Sequence, residues 1–296
     1  MIQKKYFPFK ISAPGMPRHL ILPLLMLSLS ACSSMVSERL ADNLGTAILT
    51  QNDPEIAAAS MPTFLVMMDS LVLDAPDNRD ILIASADLNG AYATLFVSDT
   101  ARAQQLTDKS LRQARTAMCQ ALAALCNADR ADLQQFQAAL KTVDADEIDV
   151  LYSLGTAWAG WIQTHPEDWN ALAQVPKVEA VMARVAALDE AHAWGRAHLY
   201  LGVINSQLPP ALGGKPEIGR QHFERAIELS QGRDLIAQVQ YARYYARLMF
   251  DQQLHDRLLT QVIDAQPEVA ELNLSNALAK QQAQALLDTS NEYFEE

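Results

Sequence analysis

The chain has 296 residues, half of them apolar, with 35 acidic against 23 basic side chains and a formal net charge of −12. That balance argues against a nucleic-acid binder, which needs clustered Lys and Arg to displace counterions from phosphates. Three cysteines and six scattered histidines, with no HxxxH and no Cys/His set, imply neither a metal site nor a cofactor.

The N-terminus carries Lys4, Lys5, Lys10 and Arg18 and no acid before Glu38. An apolar run extends from Leu20 to Leu29. It is about half the ~20 residues that a membrane-spanning helix requires, which makes it the h-region of a signal peptide. The run ends in Leu29-Ser30-Ala31-Cys32, which resembles a bacterial lipobox: a branched apolar residue, two small ones, then the cysteine to be lipidated. An ordinary signal peptide with a chance cysteine is the bland alternative. The expected organisation is a signal peptide over 1–31, a lipidated tether over 32–35 and one domain over 36–296. Ser33, where Asp would mark retention at the inner membrane, fits an outer-membrane anchor facing the periplasm. Cleavage removes four basic groups and no acid, leaving a net charge of −16. The membrane is then contacted through the lipid alone, and the acidity favours basic or neutral partners.

Helical periodicity dominates the rest of the chain, and no segment shows sustained two-residue alternation. Ala57, Met61, Phe64, Leu65, Met68, Leu71 and Val72 form one stripe, closed by Ala75-Pro76-Asp77-Asn78. Ile81, Ala84, Leu88, Ala91, Tyr92 and Leu95 form a second, and a longer helix is expected from about Ala101 to Ala124. On one continuous helix Cys119 and Cys126 would have Cα atoms about 10.5 Å apart, beyond the ~7 Å reach of a disulfide. Two buried free thiols are therefore expected, unless the helix ends between them. Asp144, Asp146 and Glu147 precede the next helix and read as capping residues, with no catalytic setting.

Leu151-x-x-Leu154-Gly155-x-x-Trp158 places large, small and aromatic residues as in the first helix of a tetratricopeptide (TPR) pair, and His198-x-x-Leu201-Gly202 repeats the register. The two glycines are 47 residues apart, against about 34 in a regular array. Trp169 sits in a polar connection beside His165, Pro166, Glu167 and Asp168, and Trp194 opens the second register. After Gly202 comes LPPALGG, residues 208–214, then a helix starting at Pro216. Phe223, Ala226, Ile227 and Ser230 share a face of that helix, and Gly232 suits a left-handed cap. Further on, Tyr241 and Tyr245 are expected on one face, with Tyr244 off it. The expected fold is all-α: irregular TPR-like hairpin repeats packed into one closed helical domain.

These residues carry a resemblance. Leu151–Trp161 (LYSLGTAWAGW), Gly195–Gly202, LPPALGG, His222–Ala226 (HFERA), Tyr241–Asp251 (YARYYARLMFD) and the ending around Asn276, Ala279, Ala283 and Leu286-Leu287 resemble the T-component (TatT) family of TRAP transporters, from about residue 36 to Phe294. Lys215 departs from the acidic residue common there. The resemblance implies a periplasmic TPR-like lipoprotein that docks on the solute-binding P component and assists ligand handling. It also leaves room for a homo-oligomer and for a small apolar organic ligand. A different binding module, a TPR-type envelope or outer-membrane assembly scaffold holding a protein or peptide, is the alternative.

The candidate site is Cys32 for lipidation. The candidate partner- or ligand-binding residues are Trp158, Trp161, Trp169, Leu208, Pro209, Pro210, Leu212, Gly213, Gly214, Phe223 and Tyr241. Aromatics at helical spacing usually pack in a core, which is the plainer reading of Trp158 and Trp161. Leu208 and Leu212 either plug the edge of a repeat or meet a partner. No nucleophile elbow surrounds Ser153 or Ser230, and Gly213-Gly214-Lys215-Pro216 lacks P-loop spacing. The chain is not expected to be an enzyme.

Overall fold

A computed structural model describes Asn43, residues 45–127 and residues 130–295. The expected signal peptide, Cys32 and the tether lie outside the described residues. Residues Ala41–Glu296 form one contact unit. Thirteen α-helices occur among the described residues, with no strand. The all-α expectation holds.

Local chemistry starts most of these helices. α1 (Pro54–Asp74) begins with Pro at its first position, and Asp53 accepts from the Glu55 and Ile56 amides. Asn78 caps α2 (Arg79–Phe96) and Asp99 caps α3 (Thr100–Ala121) in the same way. Because only Val97–Asp99 separate α2 from α3, the two fold back on each other as a hairpin. Then come α4 (Leu133–Leu140), α5 (Ile148–Thr164), α6 (Trp169–Leu172), α7 (Val175–Leu188), α8 (His192–Asn205) and α9 (Pro216–Leu229). α10 (Ile236–Gln240) runs into a π-helical turn over Tyr241–Ala246. α11 (Gln252–Asp264), α12 (Asn273–Asp288) and α13 (Ser290–Glu295) complete the order.

Two cores carry the domain. One gathers Leu111, Met118, Phe136, Leu154, Trp158 and Met182 from α3, α4, α5 and α7. The other gathers Phe223, Leu235, Tyr241, Leu259 and Ala283 from α9 to α12. A third, smaller cluster joins Met61 and Leu65 of α1 to Tyr92 of α2 and Leu274 of α12, and Asn273 donates to the Thr50 carbonyl at 3.0 Å. The last long helix thus meets the first. α1 is long and apolar enough, by composition, to cross a membrane, yet Ala57, Met61, Leu65 and Met68 of its inner face are buried in this domain.

Within the pairs, glycine sets the closest approach. A Cβ at Gly155 would lie 2.6 Å from Met182 Cε, and one at Gly202 would lie 2.8 Å from the Phe223 ring. The two glycines of the Leu-Gly register therefore do the same work: each lets a large side chain of the next long helix press onto the backbone.

Several expectations need correction. The third helix ends at Ala121, not near Ala124, because Leu122 leaves helical geometry (φ −142°, ψ 103°). That break brings Cys119 and Cys126 to a Cα–Cα distance of 4.3 Å, and they form a disulfide where free thiols were expected. The α2 stripe is rotated: Leu82, Ser85, Ala86, Asn89 and Ala93 join Ile81 and Tyr92 in burial, whereas Leu95 is exposed. Asp144 and Glu147 make no side-chain cap. Glu147 instead meets Arg79 at 2.7 Å. Trp194 does not open a helix in the ordinary sense. Ala193, Trp194 and Gly195 are all left-handed, with φ of 49°, 64° and 76°. Two of the three are non-glycine, so the turn holds strain that its surroundings must offset. The Arg233 guanidinium, 5.1 Å from the centre of the Trp194 ring, is one such restraint.

Candidate functional site

The helix after the left-handed turn carries Arg196 and, one turn on, Tyr200. Four-residue spacing puts both on one face. Arg196 reaches Asp234 through Nε (2.7 Å) and Nη2 (3.0 Å), and Nη2 also donates to Ser275 Oγ of α12 at 2.8 Å. Burial opposes the guanidinium's charge, but Asp234 more than compensates, so Arg196 is held charged more firmly than a free arginine. On the facing α5, Tyr152 packs edge-on against His192, with ring centres 5.2 Å apart, and His192 lies 3.6 Å from Asp149. Ser153 donates to Asp87 of α2 at 2.6 Å.

Polar bonds thus tie α5 to α2 through Ser153 and Asp87, and α8 to α12 through Arg196 and Ser275, with the bidentate Arg196–Asp234 pair beside the second link. Asp87 is exposed as a residue, while its carboxyl end, bonded to Ser153, is desolvated. Desolvation pushes its carboxyl up to about 6, the Ser153 hydrogen bond pulls the other way, and Asp149 adds repulsion. Burial likewise raises the phenols of Tyr152 and Tyr200, which interact with each other and with Asp87. Clusters of perturbed titratable groups occur at functional sites and in structural ion-pair networks alike. Of these residues sequence drew attention only to Ser153, and only to set it aside as a nucleophile. The signal lay inside the Leu151–Trp161 motif, as the Tyr152-Ser153 pair, and in the i,i+4 pair Arg196–Tyr200.

The α8–α9 seam holds a second polar set. His198 Nδ1 lies 2.8 Å from His222 Nδ1, His198 Nε2 lies 3.1 Å from Glu190, and Glu190 accepts from Arg225 at 2.5 Å. Burial lowers both histidines, so the neutral rings share one proton between the facing nitrogens.

The residues singled out from sequence are spread over three settings. Trp158 is wholly buried, edge-on to Phe136 and beneath Arg115. Phe223 is also wholly buried and stacks on Tyr241, with ring centres 5.3 Å apart and planes 15° apart. Tyr241 is buried too, and its hydroxyl donates to Glu224 at 3.3 Å. Tyr245 shares that face, as expected, and donates to Glu217 at 2.7 Å. Trp161 is part-buried, with Nε1 donating to Asp108 at 2.8 Å.

Trp169, by contrast, is 82% exposed at the start of α6, a turn capped by Asp168. Leu208 and Leu212 are 49% and 68% exposed, so they do not plug an edge. Their loop is nevertheless firm. Pro209 accepts from the Leu212 and Gly214 amides, Lys215 donates to the Asn205 carbonyl, and Gly213 is left-handed at φ 88°. Gly214 is obligatory, because a Cβ there would fall 1.7 Å from the Leu208 carbonyl oxygen. Pro210 is exposed on the same loop, and Pro209 is half-buried.

An acidic all-helical domain with an apolar loop held out to solvent has the build of a binding or accessory module. The family comparison gives that class its particular member. A family model described as the TRAP transporter T-component matches residues 50–294, and the chain belongs to that family. It is accordingly an envelope-associated accessory component of a TRAP transport system, from a family of transporter components and not of enzymes. No curated protein matches the chain.

Proposed function

We propose that the protein is a lipid-anchored periplasmic T component that docks on the solute-binding P component and assists ligand handling. The observation that carries the docking reading is the LPPALGG loop. Two leucines and Pro210 stand in solvent on a loop braced by four backbone hydrogen bonds, donated by the amides of Leu212, Gly213, Gly214 and Lys215. Exposed apolar side chains on a pre-organised loop lose little conformational entropy on binding, which is the profile of a contact residue. Trp169 is a second aromatic contact of the same kind. Trp158, Phe223 and Tyr241 are buried in the two cores and take no part in the proposed contact, and Trp161 braces α5 against α3 through Asp108.

The anchor is Cys32, and the outer membrane is its destination. TPR-like pairing supports the same reading through the matching roles of Gly155 and Gly202. The acidic surface biases the docked partner towards a neutral or basic face.

The test is capture of the purified P component from the same system by the lipid-free domain. Leu212→Ser and Trp169→Ala should each weaken capture by tenfold or more while leaving the melting temperature unchanged. Undiminished capture by both variants would remove the loop and Trp169 from the interface. Capture of envelope-assembly proteins with no affinity for the P component would favour a TPR-type scaffold instead. The anchor is tested separately: Cys32→Ala should move the full chain from the membrane to the soluble periplasmic fraction.

A further inference from the structure

Among the described residues nothing covers the outer face of α1. Its exposed positions are Glu55 and Asp74 at the two ends and, between them, Ile56, Ala59, Thr63, Val66, Ser70 and Leu73. Val66 and Leu73 are 71% and 82% exposed. The six inner positions recur at alternating steps of three and four residues, the a/d seam of a two-helix coil. None of them is charged, although the chain carries 35 acidic residues. Thr63, Val66, Met67 and Ser70, at i, i+3, i+4 and i+7, line a shallow hollow with Pro62. Four residues so spaced form the hole that receives a side chain from a facing helix. A continuous apolar strip left in solvent marks a contact surface.

The order of sizes along the strip selects the occupant. Large Ile56, small Ala59 and β-branched Thr63 are followed by β-branched Val66, small Ser70 and large Leu73, so the strip reads alike from either end. An isologous two-fold interface requires that self-complementarity. We infer that two copies of this chain pair antiparallel through α1, with Ile56 of each against Leu73 of the other, Ala59 against Ser70, and Thr63 against Val66. Charge supports the direction. A parallel, in-register pair would set Asp69 opposite Asp74 of the other copy across the seam, and Lys109 answers only the first of these carboxylates. The antiparallel pair separates them and runs the two helix dipoles head to tail.

The strip is about 26 Å long and about 10 Å wide, well short of the ~800 Å² per partner of a standard interface. The pair is therefore weak in dilute solution and is favoured where copies are held close together, as on a shared membrane. It uses no residue of the proposed P-component contact.

The experiment is disulfide trapping of the full chain in the envelope of cells that produce it. Co-produced Ala59→Cys and Ser70→Cys chains should form a covalent dimer on mild oxidation. Either variant alone should form at least tenfold less, because like positions lie about 16 Å apart along an antiparallel pair, beyond the ~7 Å reach of a disulfide. Val66→Glu added to both chains should remove the dimer while leaving the circular dichroism melt unchanged, and Thr63→Arg supplies the same test should Val66→Glu unfold the chain. Equal dimer from either cysteine variant alone would mean a parallel pair and overturn the assignment. No dimer from the mixed chains, or a dimer indifferent to Val66→Glu, would overturn it as well. Loss of P-component capture or of phospholipid-vesicle binding in Val66→Glu, with no mixed dimer, would give the face to that partner instead.

Discussion

Phe223 of α9 occupies the space that Gly202 of α8 leaves open, close enough that a Cβ on residue 202 would sit 2.8 Å from two of its ring carbons. Phe223 in turn stacks flat on Tyr241, so one missing methyl group sets the spacing of three consecutive helical segments. Gly202→Ala should force the ring aside and cost about 1–3 kcal/mol through overpacking. Equilibrium urea unfolding checks this. An unchanged midpoint would show that the pair is looser than the contact implies.

Arg196 and Asp234 make the most enclosed ion pair described in the domain, with the carboxylate 2% exposed. Removing one partner leaves the other buried and uncompensated. Asp234→Ala should therefore destabilise the fold by about 3–5 kcal/mol. Ser275→Ala, which removes only one bond to the guanidinium, should cost about 1 kcal/mol. The ratio of the two, measured by denaturant unfolding, tests whether the charge or the hydrogen bond dominates.

The Cys119–Cys126 disulfide closes a short loop across the break after α3. By chain entropy a loop of this size is worth about 2–3 kcal/mol. Paired Cys119→Ser and Cys126→Ser substitutions, or reduction before the melt, should lower the melting temperature by several degrees. A single cysteine substitution should give the same shift and add a thiol-dependent dimer on non-reducing gels.

His198 and His222 share one proton between Nδ1 atoms 2.8 Å apart, so a second proton breaks the bond and places two cations face to face. Burial lowers both pKa values, and each unfolded ring titrates near 6.5. In that window the unfolded chain binds more protons than the folded one, so stability rises with pH. The contribution is fully present above pH 6.5 and is lost as pH falls through the depressed folded values. Asp87, raised by burial, acts in the opposite sense between its unfolded range and about 6. His222→Gln, which keeps a hydrogen-bonding side chain, should flatten the loss of stability between pH 6.5 and 5. Denaturant midpoints across that range in wild type and variant check the sign.

Much of the helical framework is legible along the chain because its causes are local. Asp53 with Pro54 starts α1, Pro216 starts α9, and Gly232 ends it in the left-handed conformation at φ 69°. Each signal acts within one turn of backbone. The Leu-Gly register and LPPALGG are readable for the same reason, and the family resemblance rests on them. The α2 face is misread from sequence because Ser85 and Asn89 look like surface residues. Asn89 donates its side-chain N–H to the Ser85 carbonyl at 2.7 Å, which offsets part of the cost of burial, while its Oδ1 stays without a partner among the described residues.

Sequence by itself therefore determined an acidic, all-helical chain with its stops, its small-residue contacts and its family, because periodicity, capping and turn chemistry act over a few residues. Only the tertiary structure decided that Cys119 meets Cys126, that Ala193 and Trp194 turn left-handed, and that Asp87 faces Ser153 across 66 residues while Arg196 faces Asp234 and Ser275. Those pairings arise from how whole helices stack, and no residue carries the mark of a partner that packing alone brings within reach.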